Sequence, residues 1–282
     1  LSAALYAWDS GTNVSLPSPY DVSTAGLTEG LHVLHVYGCD AVGNWNHSQF
    51  HFTIDDTAPT IALNSPANAS VVGSGDEIDL AVSDANTVDS VSYVWDEGTN
   101  TTLESPYDLT VPNMTDGSHW LHVYAYDAAG NGRHVQYVFV VDNTPPTITL
   151  LAPTNNSEIR SSSTIDLEIT DANAVAEVLT CWDDGTNTTL DSPYDLTAEG
   201  LSEGNHTLTV YARDSVDNWA QQTYQFLVDD TPPTITLVAP ANGSVIKEDV
   251  IVDLSIFDNN TLNTTRYNWD GGTNSTLPAP YD

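Results

Sequence analysis

The chain is nearly devoid of basic residues: five Lys plus Arg stand against 39 Asp plus Glu in 282 residues, a formal net charge of −34. A field of that sign repels phosphate backbones and anionic headgroups, which excludes nucleic acid and membrane surfaces as partners. No apolar run approaches the ~18–20 residues that span a bilayer as a helix, so this segment carries no such span. No stretch shows the 3.6-residue period of a long amphipathic helix. There is no Ser-centred elbow, phosphate loop or zinc spacing, and carboxylate pairs are too abundant to single out a glycosidase dyad, so no catalytic residue is assigned. Cysteine is scarce, with only Cys39 and Cys181. What is plentiful is core material, 40% hydrophobic residues with seven Trp and 13 Tyr, which excludes disorder despite the charge.

Trp8, Trp95, Trp182 and Trp269 recur every 87 residues, each opening a Trp-Asp-x-Gly-Thr-Asn motif, and Pro-Tyr-Asp ends at Asp21, Asp108, Asp195 and Asp282. A period of that length is a small domain rather than one turn of a solenoid. The phase predicts a partial unit over 1–57, complete units over 58–144 and 145–231, and a partial unit over 232–282. Residues 262–282 restate 1–21, which favours a window cut from a longer periodic protein over a protomer completed by a neighbour's tail.

Within the unit 58–144 the apolar residues alternate: Ile78, Leu80 and Val82 share one parity, as do Val91, Tyr93 and Trp95, and Leu121, Val123 and Ala125. Turns rich in Gly, Asn, Asp and Pro separate them. The expected strands are A at 60–63, B at 77–83, C at 90–95, a C′ or D edge through 102–109, F at 119–127 and G at 134–141. About seven short strands in some 90 residues match an all-β immunoglobulin-like sandwich, with a strand-C tryptophan filling the core. Tandem sandwiches of this kind predict an elongated rod.

Thr-Pro-Pro-Thr-Ile-Thr-Leu at 144–150 and 231–237, Ala-Tyr-Asp-Ala-Ala-Gly-Asn at 125–131, and Gly-x-His-x-Leu-x-Val-Tyr at 117–124 and 204–211 resemble the tandem immunoglobulin-like repeats of bacterial and archaeal cell-surface proteins. The resemblance covers the whole chain. It implies an extracellular setting on a prokaryotic surface, with an archaeal one favoured, in a stalk, adhesin, sheath or filament. Some such repeats hold a Lys-Asn isopeptide bond, but Lys247 is the only lysine, so the two complete units cannot. Nor is there a repeated disulfide: Leu80 and Val123, then Leu167 and Val210, occupy the strand B and F places. Cys39 and Cys181 lie at different repeat positions on the outward parity of their strands, either as incidental thiols or as a cross-link between chains.

In such a sandwich the incoming linker meets the B-C and F-G loops at one end, and there this chain concentrates oxygen donors. The first junction offers Asp55, Asp56, Asp84, Asn86, Asp127 and Asn131; the second Asp142, Asn143, Asp171, Asn173, Asp214, Asp217 and Asn218; the third Asp229, Asp230, Asp258 and Asn260. Hard oxygens in that number suit Ca²⁺ better than Mg²⁺. The competing explanation is that each Asp or Asn is a turn former bonding its own backbone. Bound calcium would fix the angle between domains and stiffen the rod, assisted by the Pro-Pro pairs at 145–146 and 232–233.

Twelve Asn-x-Ser/Thr sites exceed the roughly four or five expected by chance from 22 Asn and 58 Ser plus Thr. Asn13, Asn100, Asn187 and Asn274 recur in register after strand C, and Asn68, Asn155 and Asn242 after strand A; Asn46, Asn113, Asn205, Asn259 and Asn263 complete the set. They predict N-linked glycans. His32, His119 and His206 recur, with His35 and His122 three residues on, but three residues along a strand face opposite ways, so these pairs cannot share a metal. Two functions fit: a self-assembling structural repeat of a fibre or surface layer, or an adhesin or carbohydrate-binding array that presents Tyr124 and Tyr126 to a glycan or surface ligand.

Overall fold

The structure is a computed structural model describing residues 3–279; Leu1, Ser2 and the last Pro-Tyr-Asp motif, ending at Asp282, lie outside the described residues. The chain forms two compact units, Leu1–Asn143 and Thr144–Asp282. All regular structure among the described residues is β, and no helix there is long and apolar enough to cross a membrane.

The first unit runs β1 (Ala3–Trp8), β2 (Val14–Ser15), β3 (Gly30–Cys39), β4 (Trp45–Ile54), β5 (Thr60–Ser65), β6 (Val71–Val72), β7 (Glu77–Ser83), β8 (Val88–Trp95), β9 (Thr101–Thr102), β10 (Leu109–Thr110), β11 (Gly117–Asp127) and β12 (Gly132–Val141). Strands β5 to β12 make one sandwich of two sheets, ordered β10-β7-β5 and β6-β12-β11-β8-β9, with β6 parallel to β12. Strands β1 to β4 form a separate sheet, β2-β1-β3-β4. Alternation places Ile78 and Leu80 of β7 against Leu121, Val123 and Ala125 of β11 in a fully buried core, as the sequence predicts. Burying an Ile, Leu or Val side chain stabilises by about 1.5–3 kcal/mol.

The second unit repeats the plan with β13 (Thr147–Ala152), β14 (Ser157–Ile159), β15 (Thr164–Thr170), β16 (Val175–Trp182), β17 (Thr188–Thr189), β18 (Asp195–Thr197), β19 (Gly204–Asp214) and β20 (Trp219–Val228). Their sheets are β13-β15-β18 and β14-β20-β19-β16-β17. Four further strands, β21 (Thr234–Ala239), β22 (Asp253–Phe257), β23 (Arg266–Tyr267) and β24 (Ser275–Thr276), pair two by two.

Three expectations need correction. The single edge strand over 102–109 is split: β9 pairs with β8 in one sheet and β10 with β7 in the other. Pro106 cannot donate to a ladder and Tyr107 takes a φ of 72°, so the chain crosses between sheets there, burying Leu103 and Leu109 on the way. The strand-C tryptophans do not occupy the centre of the core. Trp95 is half-buried and packs on the wholly buried Phe139, ring centroids 6.0 Å apart, and Trp182 sits likewise on Phe226. Cys39 and Cys181 are both buried, although their parity faces outward.

The tryptophan motif is a turn with a steric requirement at two positions. Asp96 adopts a φ of 51°, Gly98 donates to the Trp95 carbonyl at 2.9 Å, and a Cβ on Gly98 would lie 3.0 Å from that oxygen. Asp tolerates the left-handed region and Gly alone fits beneath the carbonyl, which explains the spacing Trp-Asp-x-Gly.

Candidate metal centre

At the first junction one carboxylate oxygen from each of Asp55, Asp84 and Asp127 lies within 4.8 Å of the others. That is the span of two opposed Ca–O bonds of about 2.4 Å. Each acid reaches the cluster from a different segment: Asp55 from the linker after β4, Asp84 from the turn after β7, Asp127 from the end of β11. Asp127 is 3% exposed and is held by Asn131, whose backbone N and Nδ2 each donate to it at 2.8 Å. Asn131 Nδ2 also donates to the Asp55 carbonyl at 2.9 Å, tying the linker to the loop. Burial pushes the Asp127 carboxyl up, but the donated bonds together outweigh it and hold the group below the usual carboxylate range. It therefore stays an anion, a hard ligand rather than a neutral acid.

The loop geometry is repeated. Asp40 with Asn44 and Asp214 with Asn218 make the same pair of bonds, and Asp214 is completely buried. Asp84, Asp171 and Asp258 each accept the backbone N of Asn86, Asn173 and Asn260 at 2.8 Å, so the turn-forming role is present together with the clustering. In the second unit Asp229, Asp258 and Asn260 line one recess with Glu203, and the Asn260 side chain foremost holds the Asp229 carboxyl below its usual range. Asp142 closes the first unit, buried, its backbone N on the Val72 carbonyl.

Several proposed ligands point elsewhere. Asn143 accepts from Ser74 N and donates to Asp116 and the Met114 carbonyl, and Asp230 accepts from Ser161 N; both are tied back to the domain they leave. Asp217 stands where the other loops have Gly130 or Gly43, with a φ of 67°, and its carboxylate pairs with Arg213. Asp56 presents its backbone N to Glu29. Glu29, Asp116 and Glu203, 87 residues apart and each followed by glycine, clamp the linkers through Asp56 N, Asn143 N and Asp230 N at 2.8–2.9 Å. The recurring acid-Gly pair was a signal for them that the turn chemistry concealed.

The recurring histidines form clasps with the tryptophan-motif aspartates. His32, His119 and His206 meet Asp9, Asp96 and Asp183 through Nδ1, at 2.7, 2.8 and 2.5 Å, and the carbonyls of Thr28, Thr115 and Ser202 through Nε2, each at 2.8 Å. Both partners are acceptors, so each ring donates twice and is an imidazolium. The aspartate bond, ahead of other causes, raises the three histidines above their ordinary range, and all three aspartates are lowered. No metal is needed to account for these residues.

All twelve predicted glycosylation asparagines are exposed. The Oδ1 atoms of Asn68 and Asn155 accept from Val138 N and Gln225 N, which leaves Nδ2, the atom that carries a glycan, directed away from those bonds.

Residues 146–210 match the family model described as a bacterial Ig domain, and residues 191–276 that of a bacterial Ig-like domain (group 3). The second match starts inside one sandwich and ends in the next repeat, which a tandem array permits. No curated protein matches the chain. Among solved structures, the fibronectin(III)-like modules of Clostridium thermocellum CbhA are 20% identical over 60% of this chain and 94% of that one, TM-score 0.37. A Ca²⁺-stabilized adhesin of an Antarctic bacterium is 18% identical over 85% and 69%, TM-score 0.31, and a 1.5-MDa bacterial ice-binding adhesin 17% over 81% and 87%, TM-score 0.35. Likenesses this distant carry no argument about function; the family matches and the strand order carry the fold.

Proposed function

From a chain built of tandem bacterial-type immunoglobulin-like domains, we propose an extracellular repeat protein of a prokaryotic surface, a structural element of a stalk, sheath or filament whose linkers are held by calcium and whose loops carry N-linked glycans. The convergence of Asp55, Asp84 and Asp127 carries this reading. A cation there would join the incoming linker to both loops of the domain it enters and offset the mutual repulsion of the carboxylates, about 4 kcal/mol per pair at 4 Å near a protein surface. The residues do no chemistry on a substrate; their role is mechanical. Electron microscopy of the native protein tests it. Stiff rods or ordered fibres in calcium that loosen in chelator are expected, and particles of unchanged shape in both would overturn it. Glycosylation has its own test: intact mass of native material should exceed the bare polypeptide by whole glycan increments, lost at a site when its Asn is changed to Gln.

A second function, adhesin or carbohydrate binding, is favoured by one observation. Trp120 and Tyr126 are exposed on the outward face of β11, which also carries Tyr124, and Tyr126 lies across Gly132, where any Cβ would meet its ring at 2.5 Å. On the matching face of the second unit Arg213 instead stacks over Trp219, so the platform is not a repeated one.

A further inference from the structure

His35 and His122 have partners that strand parity alone does not reveal. His122 Nδ1 lies 3.2 Å from Nε2 of His134 across the β11-β12 hairpin, and His35 Nδ1 lies 3.1 Å from Nε2 of His47 across β3-β4. The rings are within 16° and 3° of parallel. Tyr124 stacks on His134 and Tyr37 on His47, both at 4.4 Å between centroids, which fixes the outer ring of each pair. A glutamine completes each group: Gln136 stands directly opposite His122, and Gln49 directly opposite His35, its amide 3.4 Å from the His35 ring. The sequence pattern is His-x-Tyr followed after the turn by His-x-Gln. His47 and His134 are exposed, leaving the outer side open to water.

We propose that each pair is a chelating site for a divalent transition metal of the imidazole-preferring class, with Cu²⁺ the tightest. With metal–nitrogen bonds of about 2.0–2.1 Å, two ligands at right angles stand about 2.9 Å apart and two at the tetrahedral angle about 3.3–3.4 Å. The nitrogen separations of 3.1 and 3.2 Å fall between these values, and with ring centroids 5.3 and 5.4 Å apart the two nitrogens face each other nearly head-on, so each exposed outer ring has to pivot to aim both lone pairs at one ion. In the metal-free pair one ring donates its N–H to the other's lone pair; binding moves that proton to the far nitrogen of the same ring and frees both facing nitrogens. Imidazole suits Cu, Ni and Zn, and affinity peaks at Cu²⁺, whereas calcium prefers oxygen, so these sites are separate from the carboxylate cluster.

The second unit supplies an internal comparison. At 87 residues beyond His122, His134 and Gln136 stand Thr209, Gln221 and Thr223, while the tyrosine persists as Tyr211. Both imidazoles and the glutamine change together although the strands pair in the same register. Packing does not demand the histidines, since the same hairpin forms without them.

Calorimetric titration of the full chain with CuCl₂, and separately ZnCl₂, in excess calcium should show two tight equivalents. Imidazole NMR signals should shift for His35, His47, His122 and His134 and not for the clasped His32, His119 and His206. Replacing His122→Thr with His134→Gln, residues the second unit already carries on this hairpin, should leave one equivalent, and adding His35→Thr with His47→Gln should leave none. Two tight equivalents persisting in the fourfold variant, shifts at other histidines in the unaltered protein, or diffuse weak binding only would overturn the proposal.

Discussion

Transferring the calcium-saturated protein into chelator should lower its melting temperature by about 10 °C. Extracellular calcium modules bind with Kd values of about 10⁻⁴–10⁻³ M, so about 10 mM calcium stabilises a site by roughly 1.4–2.7 kcal/mol, and each kcal/mol is worth about 4–8 °C for a domain of this size. Asp84→Asn is the discriminating variant. Asparagine keeps the oxygen that accepts Asn86 N, so the turn survives while one charge leaves the cluster. In calcium the variant should melt below the parent; in chelator it should melt at the same temperature or higher, because repulsion with Asp55 and Asp127 is relieved. Asp127→Ala, by contrast, should lower stability in both media, since it strips the Asn131 backbone and amide of their acceptor. A calorimetric scan of the three proteins in both buffers checks this, and a parent indifferent to chelator would remove calcium from the account.

The histidine clasps predict a stability optimum on the acid side of neutrality. The three histidines are raised above their ordinary value near 6.5, so their contribution is complete below about pH 6.5 and disappears as pH rises through their folded values. The aspartates are lowered, so their contribution is complete above about pH 4 and disappears as pH falls further. Melting temperature should therefore be highest between about pH 4 and 6.5 and decline toward pH 9. Asp96→Ala should cost about 2 kcal/mol, a value discounted because the Asp96 side chain is 43% exposed: it removes the acceptor of His119 Nδ1 and Trp120 N and places alanine at a φ of 51°. Asp96→Asn should cost less at neutral pH, because asparagine tolerates that backbone, and should flatten the alkaline limb contributed by its clasp. Thermal melts across the pH range separate these outcomes; an alkaline limb unaltered by Asp96→Asn would show that the clasp does not carry the charge.

Much of this molecule is legible in one dimension because it repeats. The 87-residue recurrence of Trp-Asp-x-Gly sets the domain length, and alternation of Ile78 with Leu80 or Leu121 with Val123 identifies buried faces, since a strand's side-chain period is two whatever it packs against. The strands expected at 77–83 and 134–141 appear as β7 and as most of β12 for that reason. The edge at 102–109 was less legible because Leu103 and Leu109 are both buried, yet their strands belong to different sheets, and one-dimensional periodicity does not record a change of sheet.

At the site, sequence alone identified the oxygen donors and, because loop order in a sandwich is set by topology, gave the expectation that those of the linker and loops approach one another. Only tertiary structure decided direction. Asn143 and Asp230 belong by composition with the ligands, but bonds to Ser74 and Ser161 turn them back to the preceding domain. Asp217 is diverted by Arg213, and Glu29, Asp116 and Glu203 emerge as linker clamps. His122 and His134 are 12 residues apart and meet because the hairpin register sets them diagonally on one face. Composition and period are properties of the chain, readable wherever it folds. The aim of a side chain depends on a backbone N–H or carbonyl contributed by a distant segment, and that partner exists only once the sheets have formed.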